Sequence, residues 1–234
     1  MAQLLRKKSN HAGVGTGEYR SEKLLNFVSA LIAPEDGALR KIRLETPKRG
    51  LPPINIGPDE GKILDFLVKA CRAQNAVEVG TLAGYSSCWI ARALPEGGML
   101  HTLEYEAKHA QLARDNIRAA GLESKITVHE GDASVILSSL VKSGPYDFCF
   151  IDADKVNYPR YLRWAIDNVR SGGIVVGDNA YLFGKLHLSA KKAKNDGPAV
   201  EAMQEFLSTM ADTRFFSSCA MIPTGEGMAM AVMK

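Results

Sequence analysis

The chain has 234 residues, 46% of them hydrophobic, and a formal net charge of +3. That length and composition can bury one substantial core, and the mild charge lacks the concentrated basic face expected of a nucleic-acid binder. No apolar run approaches the roughly eighteen residues of a membrane span, and the basic opening lacks the apolar heart of a secretory signal. Cys71, Cys88, Cys149 and Cys219 are scattered with no CxxC pair, which favours buried free thiols and a reducing, cytoplasmic compartment.

Residues 1–20 read as a flexible tail, glycine-rich and polar in its second half. Ser21 is placed to cap a helix on which Leu24, Leu25, Phe27, Val28, Leu31 and Ile32 recur at helical spacing, ended by Pro34. A second helical piece is expected over 37–45, so that 21–57 forms a helical cap segment of a single domain, 21–234. Pro58 suits a first helical turn, with Asp59 and Glu60 at its positive end and Ile63, Leu64, Leu67 and Val68 turned inward. Short apolar runs then alternate with longer amphipathic ones. Strands are expected over 76–80, 99–104, 125–131, 146–152 and 172–179. Helices are expected over 85–94, 107–120 (closed by Gly121), 133–141 and 158–169. Five such units predict an α/β fold of Rossmann-like form, a mostly parallel sheet with helices on both faces. A helix over 198–210 leads to two strands joined by a turn at 223–227, a hairpin in which one strand must run antiparallel to the rest.

In open parallel sheets ligands collect beyond the carboxyl ends of the strands, and here every such end is polar or glycine-rich. The first loop reads VEVGTLAGYSS. Gly80 permits a sharp turn and Gly84 a close approach at the helix start. The spacing is GxxxG, not the GxGxxG of a dinucleotide site, and Glu78 would repel a pyrophosphate. Glu78 suits a cationic amine instead, such as the amino-acid part of S-adenosylmethionine; a plain glycine-eased turn explains the spacing equally well. Glu104, ending the second strand, can accept both ribose hydroxyls or stand as a solvated carboxylate at a helix start. Asp132 can accept from an adenine amino group while the Ala133 N–H donates to the ring, or act as a simple N-cap, or do both.

Asp152, Asp178 and Asn179 come from adjacent strand ends and form an all-oxygen set for a hard cation: Mg2+, Mn2+ or Ca2+. Taken singly, each suits a cap or turn equally well. Together, carboxylates crowded without a cation would repel one another. Lys155 lies at the same mouth. A neighbouring cation would disfavour its ammonium form and make it a candidate proton acceptor; the alternative is an ordinary surface lysine. His101 and His129 read as strand residues, His11, His109 and His187 as surface, and Lys191-Lys192-Ala193-Lys194 as a solvated loop.

VEVGTLAGYSS resembles the first motif of class I S-adenosylmethionine-dependent methyltransferases. Together with GPDEGKILDFLVKAC, FIDADKVNY, GGIVVGDN and IPTGEGMAMAV it is similar to the cation-dependent caffeoyl-CoA and catechol O-methyltransferase group, over residues 54–234. The resemblance implies a seven-stranded sheet with an antiparallel C-terminal hairpin strand. It also implies methyl transfer to a hydroxyl of a small catechol-like aromatic, S-adenosyl-L-methionine as cofactor, a divalent cation and a homodimer. By position, cofactor contacts would fall at Ile56, Glu78, Gly80, Thr81, Ser86, Glu104, Asp132, Ala133, Asp152 and Asp154. Metal ligation would fall to Asp152, Asp178 and Asn179, and catalysis to Lys155 with Asp152. The first fifty residues and the segment 183–197 follow no family pattern, so the acceptor stays open. A different acceptor, or a cofactor-binding protein without catalysis, is the alternative.

Overall fold

The computed structural model describes residues 21–234; the tail expected over 1–20 lies outside the described residues. The chain divides after Pro34. In the first unit, α1 (Glu22–Ile32) starts where Ser21 caps it, its hydroxyl accepting the Leu24 N–H at 3.3 Å.

In the second unit, α2 (Gly37–Glu45) is capped by Asp36, which accepts the Leu39 N–H at 2.9 Å. α3 (Pro58–Ala70) opens on one half of a capping box: Pro58 lies in the first turn and Glu60 Oε2 accepts the Gly57 N–H at 2.8 Å, while Gly57 has no side chain to return the bond. There follow β1 (Asn75–Val79), α4 (Tyr85–Ala93), β2 (Met99–Glu104), α5 (Ala107–Ala119), β3 (Ile126–Glu130) and α6 (Ala133–Leu140). Next come β4 (Tyr146–Ile151), α7 (Tyr158–Asn168) and β5 (Val169–Gly177). The last elements are α8 (Ala190–Ala193), α9 (Gly197–Met210), β6 (Phe216–Ile222) and β7 (Met228–Met233). The seven strands form one sheet in the order β3-β2-β1-β4-β5-β7-β6. β7 runs antiparallel to both β5 and β6, as the hairpin required, and the other pairings are parallel. The chain reverses its direction of travel across the sheet between β1 and β4, which opens a crevice at their carboxyl ends.

Alternation along the strands sends side chains into two separate cores. One holds Leu64 and Val68 of α3, Trp89 and Ile90 of α4, and Phe148 and Phe150 of β4. The other holds Val77 and Val79 of β1, Cys149 and Ile151 of β4, Tyr158 and Leu162 of α7, and Phe206 of α9, with Trp164 packed against it. In the first, the Trp89 indole lies flush on Gly61, where a Cβ would meet it at 2.3 Å.

Four expectations need correction. β5 runs Val169–Gly177 rather than 172–179: Val169 already pairs with Tyr146 of β4, and the register slips before Phe148 pairs with Ile174. Only Cys88 and Cys149 are buried; Cys71 is half-buried, and Cys219 is exposed because β6 is the sheet edge. The stretch from Lys191 to Lys194 is not loop, since α8 and the following 3-10 turn order it around the buried Ala193. His109 is half-buried rather than on the surface.

Candidate active site

A cavity of about 820 Å³ opens at the carboxyl ends of β1 to β5. Its lining includes Ile56, Gly80, Thr81, Ser86, Glu104, Asp132, Ala133, Asp152, Asp154, Lys155, Asp178 and Asn179. Of the residues assigned to the site by sequence, Glu78 alone is absent from that wall.

The glycine loop is held from below. Gly80, at φ +103°, passes so close to β4 that a Cβ would stand 1.9 Å from the Asp152 carbonyl oxygen. Glu104 braces the same loop: Oε2 accepts the Leu82 N–H at 2.8 Å and the Thr81 N–H at 3.3 Å, while Oε1 accepts the Glu106 N–H at 2.9 Å. Glu78 is fully buried in β1, level with Thr102 of β2. Its Oε2 accepts from Ser87 and, at 2.6 Å, from Thr102, and Oε1 has no partner. Burial outweighs these donors and pushes the carboxyl up to about 7. Asp132 caps α6, its Oδ1 accepting from Ser134 N–H at 2.7 Å and Val135 N–H at 3.3 Å, which holds it below the usual carboxylate range. Oδ2 takes no part in the cap, so capping and ligand contact are compatible. Asp154 is engaged on both oxygens, by Tyr161 at 2.7 Å and Asn157 at 2.6 Å.

At the opposite end of the cavity Asp178 is 3% exposed and its Oδ1 is buried without a partner. Burial, then the charges of Asp152 and Glu60, push its carboxyl up to about 7. Asn179 is left-handed at φ +52°, a conformation asparagine tolerates well. Asp152, Asp178 and Asn179 therefore supply oxygen donors, one orphaned and buried, at one point of the wall, and this fits a hard cation. Among the described residues no three His, Cys, Asp or Glu side chains gather as a metal site; the third member of this set is an amide.

Residues 28–234 match the family model described as O-methyltransferase. The chain belongs to that O-methyltransferase family. It is 38% identical over 219 residues to the catechol O-methyltransferase of Niastella koreensis, covering 91% of this chain and 97% of that one. It is 30% identical to the caffeoyl-CoA O-methyltransferase of Stellaria longipes, with 91% of each covered. Its fold matches the solved O-methyltransferase from Bacillus cereus in complex with SAH at a TM-score of 0.81 and 35% identity, covering 89% and 96%. The chain is thus a class I, S-adenosylmethionine-dependent enzyme, as the loop and the DADK and DN motifs implied.

Within this O-methyltransferase, Lys155 Nζ lies 3.2 Å from Asp152 Oδ1 and 2.6 Å from the Tyr158 hydroxyl, with its side chain 13% exposed. It is not the ordinary surface lysine. Sequence reasoning missed Glu60, His109, Tyr158, Arg160 and Glu226. All but Tyr158 line the cavity, and His109 Nδ1 stands 3.6 Å from Glu104 Oε1. The sequence marked Glu60 as an acidic residue of a first helical turn, but only the tertiary fold brings that helix end to Asp178.

Proposed function

We propose that this O-methyltransferase moves the methyl group of S-adenosylmethionine to one hydroxyl of a small aromatic vicinal diol, with a divalent cation assisting. The observation that carries the reading is the buried, unpartnered Asp178 oxygen beside Asp152, in the same cavity as the glycine loop and Glu104. Asp152, Asp178 and Asn179 would hold the cation, Mg2+ first among Mg2+, Mn2+ and Ca2+. When bound it would supply positive charge that favours ionisation of the acceptor hydroxyl.

Lys155 takes that hydroxyl's proton. The oxygen forms a bond to the methyl carbon, and the carbon–sulfur bond breaks with its electron pair going to sulfur, leaving S-adenosylhomocysteine. Ile56, Gly80, Thr81, Ser86, Glu104, Asp132, Ala133 and Asp154, with Asp152, form the cofactor's wall in this reading. Glu78 lies behind that wall and acts on the amine end through Ser86 and the loop. The chain's contribution to rate is then chiefly positional, holding oxygen and methyl carbon in a near-attack geometry. The acceptor class is supported by relatives named catechol and caffeoyl-CoA O-methyltransferase.

A homodimer belongs to the same reading through the family resemblance, and sedimentation of the full chain tests it. No described helix is long and apolar enough to cross a membrane; the cytoplasmic setting rests on the cysteine usage alone and is tested by cell fractionation. The test of function is methyl transfer from labelled S-adenosylmethionine to a panel of catechols and caffeoyl conjugates, with Mg2+ and with a chelator. Transfer that chelation abolishes is expected. Transfer that survives chelation removes the cation, and no transfer with intact cofactor binding removes the acceptor class.

A further inference from the structure

Tyr158 is the first residue of α7 and is completely buried, yet its hydroxyl touches three polar groups. The oxygen lies 3.0 Å from the carbonyl of Ile151, the last residue of β4, and 3.1 Å from the carbonyl of Asp178, which follows β5. The third contact is Lys155 Nζ at 2.6 Å. A hydroxyl has one proton. The two carbonyls can only accept, so that proton goes to the main chain, and the oxygen is left as an acceptor. Lys155 must then be the donor. Its nitrogen has four tetrahedral positions: one bonded to carbon, one directed at Tyr158 and one at Asp152 Oδ1, at 3.2 Å. A single position remains for a substrate proton, and Lys155 lines the cavity.

The ring beneath this hydroxyl is fixed as well. It stands edge-on to Phe206 with centroids 5.1 Å apart. Gly177, just before Asp178, leaves room for the Phe206 ring that this packing needs, since a Cβ there would lie 2.5 Å from it. Lys155 Nζ also lies 4.5 Å from the Tyr158 ring centroid, where the π face attracts a cation.

We propose that Tyr158 is a positioning residue for methyl transfer: its hydroxyl, anchored to the main chain at both strand ends, fixes the Lys155 nitrogen so that one position faces the acceptor. This rests on the reading of Lys155 as proton acceptor, and the experiment separates the two. In the full-length chain, kcat, the Kd of S-adenosylmethionine by calorimetry and Tm are measured for wild type, Tyr158→Phe, Lys155→Met and the double variant. The single Tyr158→Phe change is expected to lower kcat about tenfold or more, as a mis-set proton acceptor does, with cofactor Kd within about twofold. In the Lys155→Met background, followed by slow single turnovers, it should change the rate by less than about twofold, because two groups acting as one unit are not additive. An equal loss in both backgrounds would mean the hydroxyl acts on the fold and overturns the proposal, as would an unchanged kcat in Tyr158→Phe. Unchanged turnover in Lys155→Met would instead remove the proton-acceptor reading, and the proposal with it. Should Tyr158→Phe not fold, a crystal structure of the wild-type chain decides. Nζ within hydrogen-bond distance of the phenol, about 3 Å, is expected, and a lysine turned away beyond about 4 Å refutes.

Discussion

Gly80→Ala is the sharpest perturbation available, because a single methyl group would be driven into the main chain of the neighbouring strand. The added carbon would start 1.9 Å from the Asp152 carbonyl oxygen and 2.8 Å from its carbon, and the backbone at φ +103° does not suit an L side chain. Backbone strain of this kind costs about 1–3 kcal/mol, and forced overpacking costs a similar amount. For a chain of this size each kcal/mol lowers Tm by about 2–4 °C, so a fall of about 5 °C or more is expected. Function should suffer beyond this. To reach even 3.0 Å the loop and the end of β4 must part by about 1 Å, and the residue that moves is Asp152. A misplacement of that size costs about a hundredfold in rate. Calorimetric melting and methyl transfer from labelled cofactor measure the two effects separately. A variant melting within a degree or so of wild type with undiminished kcat would refute the claim that this contact sets the site's geometry.

Three further outcomes are expected. Glu78 keeps its proton up to about pH 7 when folded and loses it near 4.5 when unfolded, so the folded chain binds the extra proton in that window. Stability should therefore fall as pH rises from about 5 to 7, by at most about 1.4 kcal/mol per unit from this group. Denaturant melts should show a shallower slope for Glu78→Gln, and identical slopes would contradict the assignment. Glu104→Gln should weaken S-adenosylmethionine about tenfold by calorimetry, the loss of a charged acceptor; unaltered affinity would leave Glu104 as a brace for the loop alone. Asp152→Ala should abolish both Mg2+ binding and chelator-sensitive turnover, and a variant that turns over undiminished would sink the metal role.

Periodicity alone made much of the fold legible. The folded β2 and α2 keep the bounds their apolar runs suggest, because each is closed by a cap or a glycine turn. β5 began earlier than read, because Val169 already pairs with Tyr146 across an irregularity in the ladder, and polar or small residues then separate it from the apolar run. In the site, the strand-end motifs placed Asp152, Asp178, Asn179 and Lys155 together because sheet topology alone brings strand ends into register. Glu78 was assigned to the site from sequence, and its complete burial off the cavity wall was not legible there. Its side chain faces the layer of Ser87 and Thr102, which is a matter of strand phase. Tyr158 read only as a helix start, because its three partners come from different elements. The segment 183–197 carried no usable signal: it opens at Phe183, left-handed at φ +51° like Leu182 before it, where bulky residues are rarely found.

The partition of the interior by the sheet has an optical corollary. The chain has two tryptophans, and each belongs to a different core. Trp89 is buried against Gly61 with its indole N–H unpartnered, whereas Trp164 is half-buried and donates its N–H to the Leu137 carbonyl at 2.8 Å. The two indoles therefore report from unlike surroundings. A chain retaining only Trp89 would glow with the state of the α3–α4 layer, and one retaining only Trp164 with that of the α6–α7 layer, so the two faces carry separate built-in lamps.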